Sequence, residues 1–152
     1  MTAAILRQAH AGDVAAMHRV RLAVRENPLP SGRVSEADYV PYLESHGRGW
    51  LVEAKGEVVA FAIGDARDGN IWALFVAPGN EGQGHGRQLH DVMVDWLTER
   101  CPNLWLSTEP GTRAERFYEA AGWQRRGPTP SGELRFERPG RRADPTHAGT
   151  AG

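Results

Sequence analysis

Ile71-Trp72-Ala73-Leu74-Phe75-Val76-Ala77-Pro78-Gly79-Asn80-Glu81-Gly82-Gln83-Gly84-His85-Gly86-Arg87-Gln88-Leu89 is the stretch on which the fold turns. Ile71 to Val76 is an unbroken apolar run, the pattern of a strand buried on both faces. Beyond the turn, Leu89, Val92, Met93, Trp96 and Leu97 share one face of a helix that is expected to reach about Arg100. Three alternating glycines, Gly82, Gly84 and Gly86, join the two elements. Glycines so placed let the backbone take positive φ and approach a ligand closely. Successive N–H groups can then converge as an anion nest, and the helix start adds unpaired donors and partial positive charge. The guest that suits this arrangement is a phosphate or diphosphate, with Arg87 able to add a charge-assisted contact.

Toward the N-terminus, Trp50–Ala54 and Glu57–Ile63 read as strands joined by the two-residue hairpin Lys55-Gly56. Ile5–Gln8 reads as a first strand. Asp13 is expected to cap a helix whose apolar face is Val14, Met17, Val20 and Val24, ended by the Pro-rich segment after Asn27. A second helix is expected from Ser35, burying Tyr39, Tyr42 and Leu43, with Pro41 inside it. Toward the C-terminus come strand Leu104–Thr108, a helix with a Thr112/Glu115 capping box, and closing strands Trp123–Arg125 and Leu134–Glu137. Ala114, Phe117, Tyr118 and Ala121 line the inner side of that helix, which stops at Gly122. Hairpins favour antiparallel pairing and the strand–helix–strand unit favours a parallel crossover, so the fold class is α/β (α+β) with a mixed sheet and helices packed on it.

A chain of 152 residues suits one domain, expected over residues 1–138. From Pro139 the sequence loses periodicity, and residues 139–152 are expected to be a disordered tail. A formal charge of −1 offers no general attraction to nucleic acid or anionic membrane, so phosphate recognition must be local. The single cysteine, Cys101, rules out an internal disulfide and a thiolate zinc cluster, and no metal is expected. His85 and His90 are five apart and do not share a helix face as paired ligands would. With no apolar run near membrane-spanning length and no signal pattern in Met1 to His10, the expected location is cytoplasmic. The five tryptophans are expected to be mostly core.

Two nucleotide motifs fail on inspection. Arg87-Gln88, not Lys followed by Ser or Thr, follows Gly86, which excludes a P-loop. Counting from Gly82 or Gly84 places Arg87 or Leu89 where a dinucleotide fingerprint needs glycine.

Val76-Ala77-Pro78 followed by Glu81–Leu89 resembles the CoA-binding segment of the GNAT superfamily of acyl-CoA-dependent N-acyltransferases. Ala114–Trp123, with its Phe117-Tyr118 pair and Gly122-Trp123 end, resembles the second signature of that superfamily, and the element order agrees over residues 4–138. The resemblance implies a mostly antiparallel central sheet of about six or seven strands flanked by about four helices. It implies an N-acetyltransferase that uses acetyl-CoA as cosubstrate, with a small-molecule or peptide amine attacking the thioester directly. Non-catalytic acyl-CoA binding and O-acyl transfer on the same scaffold are the competing readings. A homodimer is compatible with it.

The resemblance also assigns roles. Tyr118 is the proton donor to the departing sulfur, a phenol being protonated at neutral pH. Glu109 is the first choice of general base, with Glu26 and Asp65 as other carboxylates near loop ends. Phe75, Val76, Glu81, Gly82, Gln83, Gly84, His85, Gly86, Arg87, Arg113 and Phe117 form the CoA site, and Arg116 is a further cation in reach. The Val76 N–H is the best choice for the oxyanion contact. The His85 side chain is expected to point away, since the turn needs only backbone. Glu81 stands where the family often has Gln or Arg, and Gly111 where it often has Asn. Arg25, Glu26 and Trp72 are expected at the acceptor.

Overall fold

The computed structural model describes residues 4–24 and 34–140. The chain opens with β1 (Ile5–Gln8), a 3-10 turn (Ala11–Asp13) and α1 (Val14–Ala23). Asp13 does not cap α1. Its carboxylate accepts the His10 N–H at 2.8 Å and is gripped by Arg7 at 2.9 and 3.0 Å. The helical path therefore begins at His10, three residues earlier than the pattern suggests, because the side chain expected to cap forward is bound backward.

In α2 (Glu36–Pro41) the Ser35 N–H donates to Asp38 at 2.7 Å. The expected second helix is split after Pro41 into a π turn, Tyr42–His46. Proline has no N–H to continue the ladder and its ring crowds the carbonyl four residues back, so the hydrogen-bond register slips. Tyr39 is fully buried as expected, while Tyr42 and Leu43 are half-buried.

β2 (Gly47–Ala54) and β3 (Glu57–Asp65) form the hairpin, with Lys55 and Gly56 at φ 55° and 79°, the two positive values that a type I′ turn requires. β4 (Asn70–Val76), α3 (His85–Thr98), β5 (Asn103–Thr108), α4 (Arg113–Ala120), β6 (Gln124–Pro128) and β7 (Leu134–Pro139) follow. β7 runs through Pro139, and the Gly140 N–H bonds to the Pro102 carbonyl at 2.9 Å, so the ordered sheet passes the expected boundary at 138. Residues 141–152, most of the expected tail, lie outside the described residues, as does the Pro-rich segment after α1. No described helix is long and apolar enough to cross a membrane.

The described strands make one seven-stranded sheet in the order β1-β2-β3-β4-β5-β7-β6. Every pair is antiparallel except β4 with β5, and that pair meets only at Asn70 and Trp105. Beyond that point the strands separate. Each is fixed from its other side, β4 by β3 and β5 by β7.

A bulge interrupts β4. Ile71 pairs with Gly64 and Ala73 with Ile63, so Trp72 has no partner of its own. An extra residue resets the alternation of faces. Trp72, Ala73 and Phe75 accordingly join the layer under α1 and α2, while Ile71, Leu74 and Val76 join the layer under α3 and α4. Leu89, Met93 and Leu97 of α3 are fully buried in the second layer, each contributing about 1.5–3 kcal/mol by leaving water.

The tryptophans divide differently from expectation. Trp50 and Trp123 are buried, but Trp72, Trp96 and Trp105 are half-buried. Each of those three lies under an arginine: Arg21 at 5.0 Å, Arg100 at 4.3 Å and Arg135 at 4.4 Å from the respective ring centroids. An arginine stem covers the ring while its charge meets the π face, which lets a large aromatic sit at the edge of the core.

His90 ties α3 to the end of α4. The Trp123 indole donates to His90 Nε2 at 3.0 Å, and an indole N–H can only donate. Nε2 is therefore unprotonated, and Nδ1 carries the hydrogen toward Asp91 at 2.9 Å. Burial holds His90 below its ordinary value of 6.5, against the pull of Asp91. An unfolded chain binds that proton more readily, so stability falls as pH drops through 6.5. We expect the thermal midpoint to fall between about pH 7 and about pH 5, with the slope flattened in His90→Gln, whose amide oxygen can still accept from Trp123. An unchanged slope in that variant would assign the loss to another group.

Candidate active site

The separation of β4 from β5 opens a cleft of about 690 Å³ through the sheet. Its walls include β4 from Ile71 to Val76, β5 from Leu106 to Thr108, the glycine turn and the start of α3, and the inner face of α4.

The direction of the β4 amides follows from the ladder. The Ala77 N–H donates to the Val59 carbonyl at 2.8 Å, which makes that pair hydrogen-bonded. In an antiparallel ladder such pairs alternate. Phe75 and Ala73 therefore bond toward β3, while the backbone N–H and C=O groups of Leu74 and Val76 turn to the cleft. The Val76 N–H, singled out from the sequence, thus faces the cleft, and Leu74 is a second donor that sequence reading did not name.

At one end lies the glycine turn. Gly82 and Gly84 have φ of 76° and 89°, left-handed values that strain any other residue. Gly84 is the residue from which the 14-residue helix α3 starts, so the unpaired donors of that helix open where the turn closes. Gly82, Gly84, Gly86 and Arg87 line the cleft, whereas the exposed Gln83 does not. A Cβ on Gly86 would touch the Val76 and Phe117 side chains at 3.5 and 3.8 Å, so the turn is packed onto the cleft wall.

Glu81 resolves its own difficulty. Its carboxylate accepts the Gly79 N–H at 2.9 Å and lies 3.5 Å from Arg113. Backbone N–H groups and Arg113 hold it below the usual carboxylate range. The negative charge is thus engaged on its own side of the turn, and Arg113 meets Glu81 at the cleft mouth. Gly111 has its N–H bonded to the Glu115 carboxylate at 2.6 Å. Thr112 accepts the Glu115 N–H at 3.3 Å, so the capping box is present with its return bond one residue earlier than expected.

His85 departs from expectation. Its side chain is buried rather than pointing away, lines the cleft, and has both ring nitrogens without a hydrogen-bond partner. The helical turn rotates it inward, one residue after the left-handed Gly84.

Tyr118 is buried on the inner face of α4 and lines the cleft. Phe117, Trp123 and Phe136 pack round its ring. Burial raises its hydroxyl well above the ordinary phenol value.

The carboxylates sort differently. Glu109 is exposed and does not line the cleft, because the chain turns at Pro110 and only the Glu109 carbonyl is used, by Thr112. Asp65 is buried at the end of β3. Burial favours its neutral form, but the Arg67 side chain and N–H outweigh that and lower it. Its work is structural. Glu26 and Arg25 lie outside the described residues. Arg116 is exposed and off the cleft. Glu133, in the turn before β7, lines the cleft, and among the described residues its carboxylate makes no ion pair. No sequence motif marks it, since it reaches the site only through the fold.

Trp72 lines the cleft as expected, stacked on Tyr42 at 4.2 Å. Beside it is Arg21, which the sequence reading passed over. Its signal was an arginine four residues after Met17, on the face that carries Val20 and Val24.

Residues 13–123 match the sequence profile of the acetyltransferase (GNAT) family. A search of curated proteins found no match. Solved structures share the fold. Ribosomal-protein-S18-alanine N-acetyltransferase from Escherichia coli superposes with a TM-score of 0.72 at 21% identity, covering 90% of this chain and 94% of that one. Ard1 from Thermoplasma volcanium gives 0.75 at 18%, covering 90% and 97%. Ribosomal-protein-alanine N-acetyltransferase from Brucella melitensis gives 0.73 at 19%, covering 89% and 99%.

The turn makes a direct prediction. A Cβ on Gly84 meets nothing within 4 Å, so Gly84→Ala acts through backbone conformation alone, a cost of about 1–2 kcal/mol. Thermal unfolding should show that variant melting about 2–8 °C below the wild type. Gly12→Ala, outside the left-handed region and also unobstructed, should melt as the wild type does.

Proposed function

The chain belongs to the acetyltransferase (GNAT) family, and from that premise we propose that it moves an acetyl group from acetyl-CoA to a primary amine of a small-molecule or peptide acceptor by direct attack. One observation carries the reading. A single cleft joins the glycine turn at the start of α3 to inward-facing β4 amides and a buried phenol.

The residues present fit CoA. The turn and α3 start suit its diphosphate, and the Leu74 N–H and C=O and the Val76 C=O suit the amides of its pantetheine arm. Acetyl-CoA supplies an activated acyl group. The chain supplies position and proton handling. The Val76 N–H favours negative charge on the carbonyl oxygen, and an amide fixed by the β4 ladder does so without reorganising. Tyr118 keeps its proton across neutral pH, because burial raises it, and so remains a donor to the departing sulfur.

The acceptor must attack as a neutral amine, whereas a free alkyl amine binds its proton up to about pH 10. Of the carboxylates lining the cleft, Glu81 is engaged with Gly79 and Arg113, while Glu133 is free to receive that proton directly or through water. We therefore assign the role to Glu133 in place of Glu109.

Release of free CoA in the presence of an amine panel tests the activity. Tyr118→Phe should lower kcat by about 10²-fold or more with little change in CoA affinity. Glu133→Gln should lower kcat/KM by about 10²-fold and Glu109→Gln should not. CoA binding without release across the panel would favour a binding domain, and release only with hydroxyl acceptors would favour O-acyl transfer.

A further inference from the structure

Arg21 is a buried cation with unfinished hydrogen bonding. It is 8% exposed, and its Nε and Nη1 have no partner. The guanidinium sits 5.0 Å from the ring centroids of both Trp72 and Phe75. Its polar neighbour is the Tyr39 hydroxyl, which is 3.0 Å from His18 Nδ1. Among the described residues no carboxylate pairs with Arg21. A buried charge is ordinarily paired, and two ring faces compensate only in part.

The position of these nitrogens matters. Arg21 lines the same cleft as the glycine turn and Tyr118 but reaches it from the opposite face of the sheet. Trp72 and Phe75 belong to the α1 and α2 layer, whereas Val76, Phe117 and Tyr118 belong to the α3 and α4 layer. A CoA diphosphate held at the start of α3 would leave its acyl end in the gap between β4 and β5, with Arg21 lining the α1 side, from which an acceptor would then enter. The other arginines of the cleft are engaged elsewhere, Arg113 with Glu81 and Arg87 with Asp91.

We infer that Arg21, held between Trp72 and Phe75, forms a carboxylate-binding subsite at the acceptor end of the cleft. This rests on the acyl-transfer reading above. Stacking on rings is weakly directional, so the guanidinium can slide in its plane to present its nitrogens while keeping both ring contacts. A planar fork of N–H donors matches a carboxylate in two parallel bonds. That carboxylate is carried by the amine acceptor or by the far end of a dicarboxylic acyl group. The sequence had placed acceptor recognition at Arg25, Glu26 and Trp72; the first two lie outside the described residues, and Trp72 is one of the two rings against Arg21.

Butyrate and butyramide have nearly the same shape and differ in charge. Ligand-observed NMR on the CoA-loaded protein should show butyrate binding at least about tenfold more tightly than butyramide. Arg21→Met should abolish that preference, and Arg21→Lys should restore part of it. Turnover distinguishes the sources. A preference for amino acids over their amides with acetyl-CoA, lost in Arg21→Met, assigns the acceptor. A preference for succinyl-CoA over acetyl-CoA with a carboxylate-free amine, lost in the same variant, assigns the acyl group. Equal binding of butyrate and butyramide to the wild type overturns the subsite without any variant, as does a preference that survives in folded Arg21→Met. The thermal shift produced by CoA alone separates the two levels of argument. If CoA fails to stabilise the protein, the acyl-transfer reading fails. If CoA stabilises it and the two probes bind alike, only the subsite fails.

Discussion

The site depends on one constraint: β4 and β5 are joined at one end and held apart along the rest. The joint is small. The Trp105 N–H bonds to the Gly69 carbonyl at 3.0 Å, and the Asn70 amide reaches the Trp105 carbonyl at 3.3 Å. Past it, each strand is committed to its other neighbour, so neither can swing across to close the ladder. Phe117 and Tyr118, buried or half-buried on α4, occupy the α3 and α4 side of the gap. Unpaired backbone groups in a protein interior require a partner. Here they face the cleft, so the break in the sheet leaves donors and acceptors open along its wall.

A second theme is how the fold manages charge near that gap. Glu81 would repel a diphosphate if it faced the turn, and it is instead tied back to Gly79 and Arg113. Asp65 is neutralised by Arg67, and Arg125 is shared between Glu115 and Glu119 on the outer side of α4. The same economy places arginines over half-buried tryptophans, where a cation and a ring each reduce the other's exposure. Against that background Arg21 stands apart, because its neighbours are aromatic and not acidic. His90 shows the complementary solution. It is a titratable group kept neutral by burial, with both ring nitrogens satisfied, and it braces the two helices that carry the turn and Tyr118.

Much of this was legible in the residues. The run from Ile71 to Val76, the alternating glycines and the amphipathic face of α3 specify strand, turn and helix through local geometry alone. Lys55-Gly56 specifies its hairpin for the same reason. Tyr118 and Val76 were reached because they lie at fixed offsets from those signals. The differences between pattern and structure share another cause. Asp13 was read as a cap, but its carboxylate is claimed by Arg7 on another element. Glu109 looked well placed in the chain, yet its side chain turns outward, while Glu133 arrives from a distant hairpin. Trp72 could not be assigned a face by alternation, because a bulge resets the count at that residue.

The sequence by itself determined the order of elements, the glycine turn and the family, because these follow from contacts within a few residues and from backbone conformations that glycine alone tolerates. Only the tertiary structure decided that β4 and β5 diverge, which amides line the gap, which carboxylate reaches it, and that a buried arginine waits on the far side. Those outcomes depend on which distant strand or helix satisfies each polar group, and that competition is settled in three dimensions.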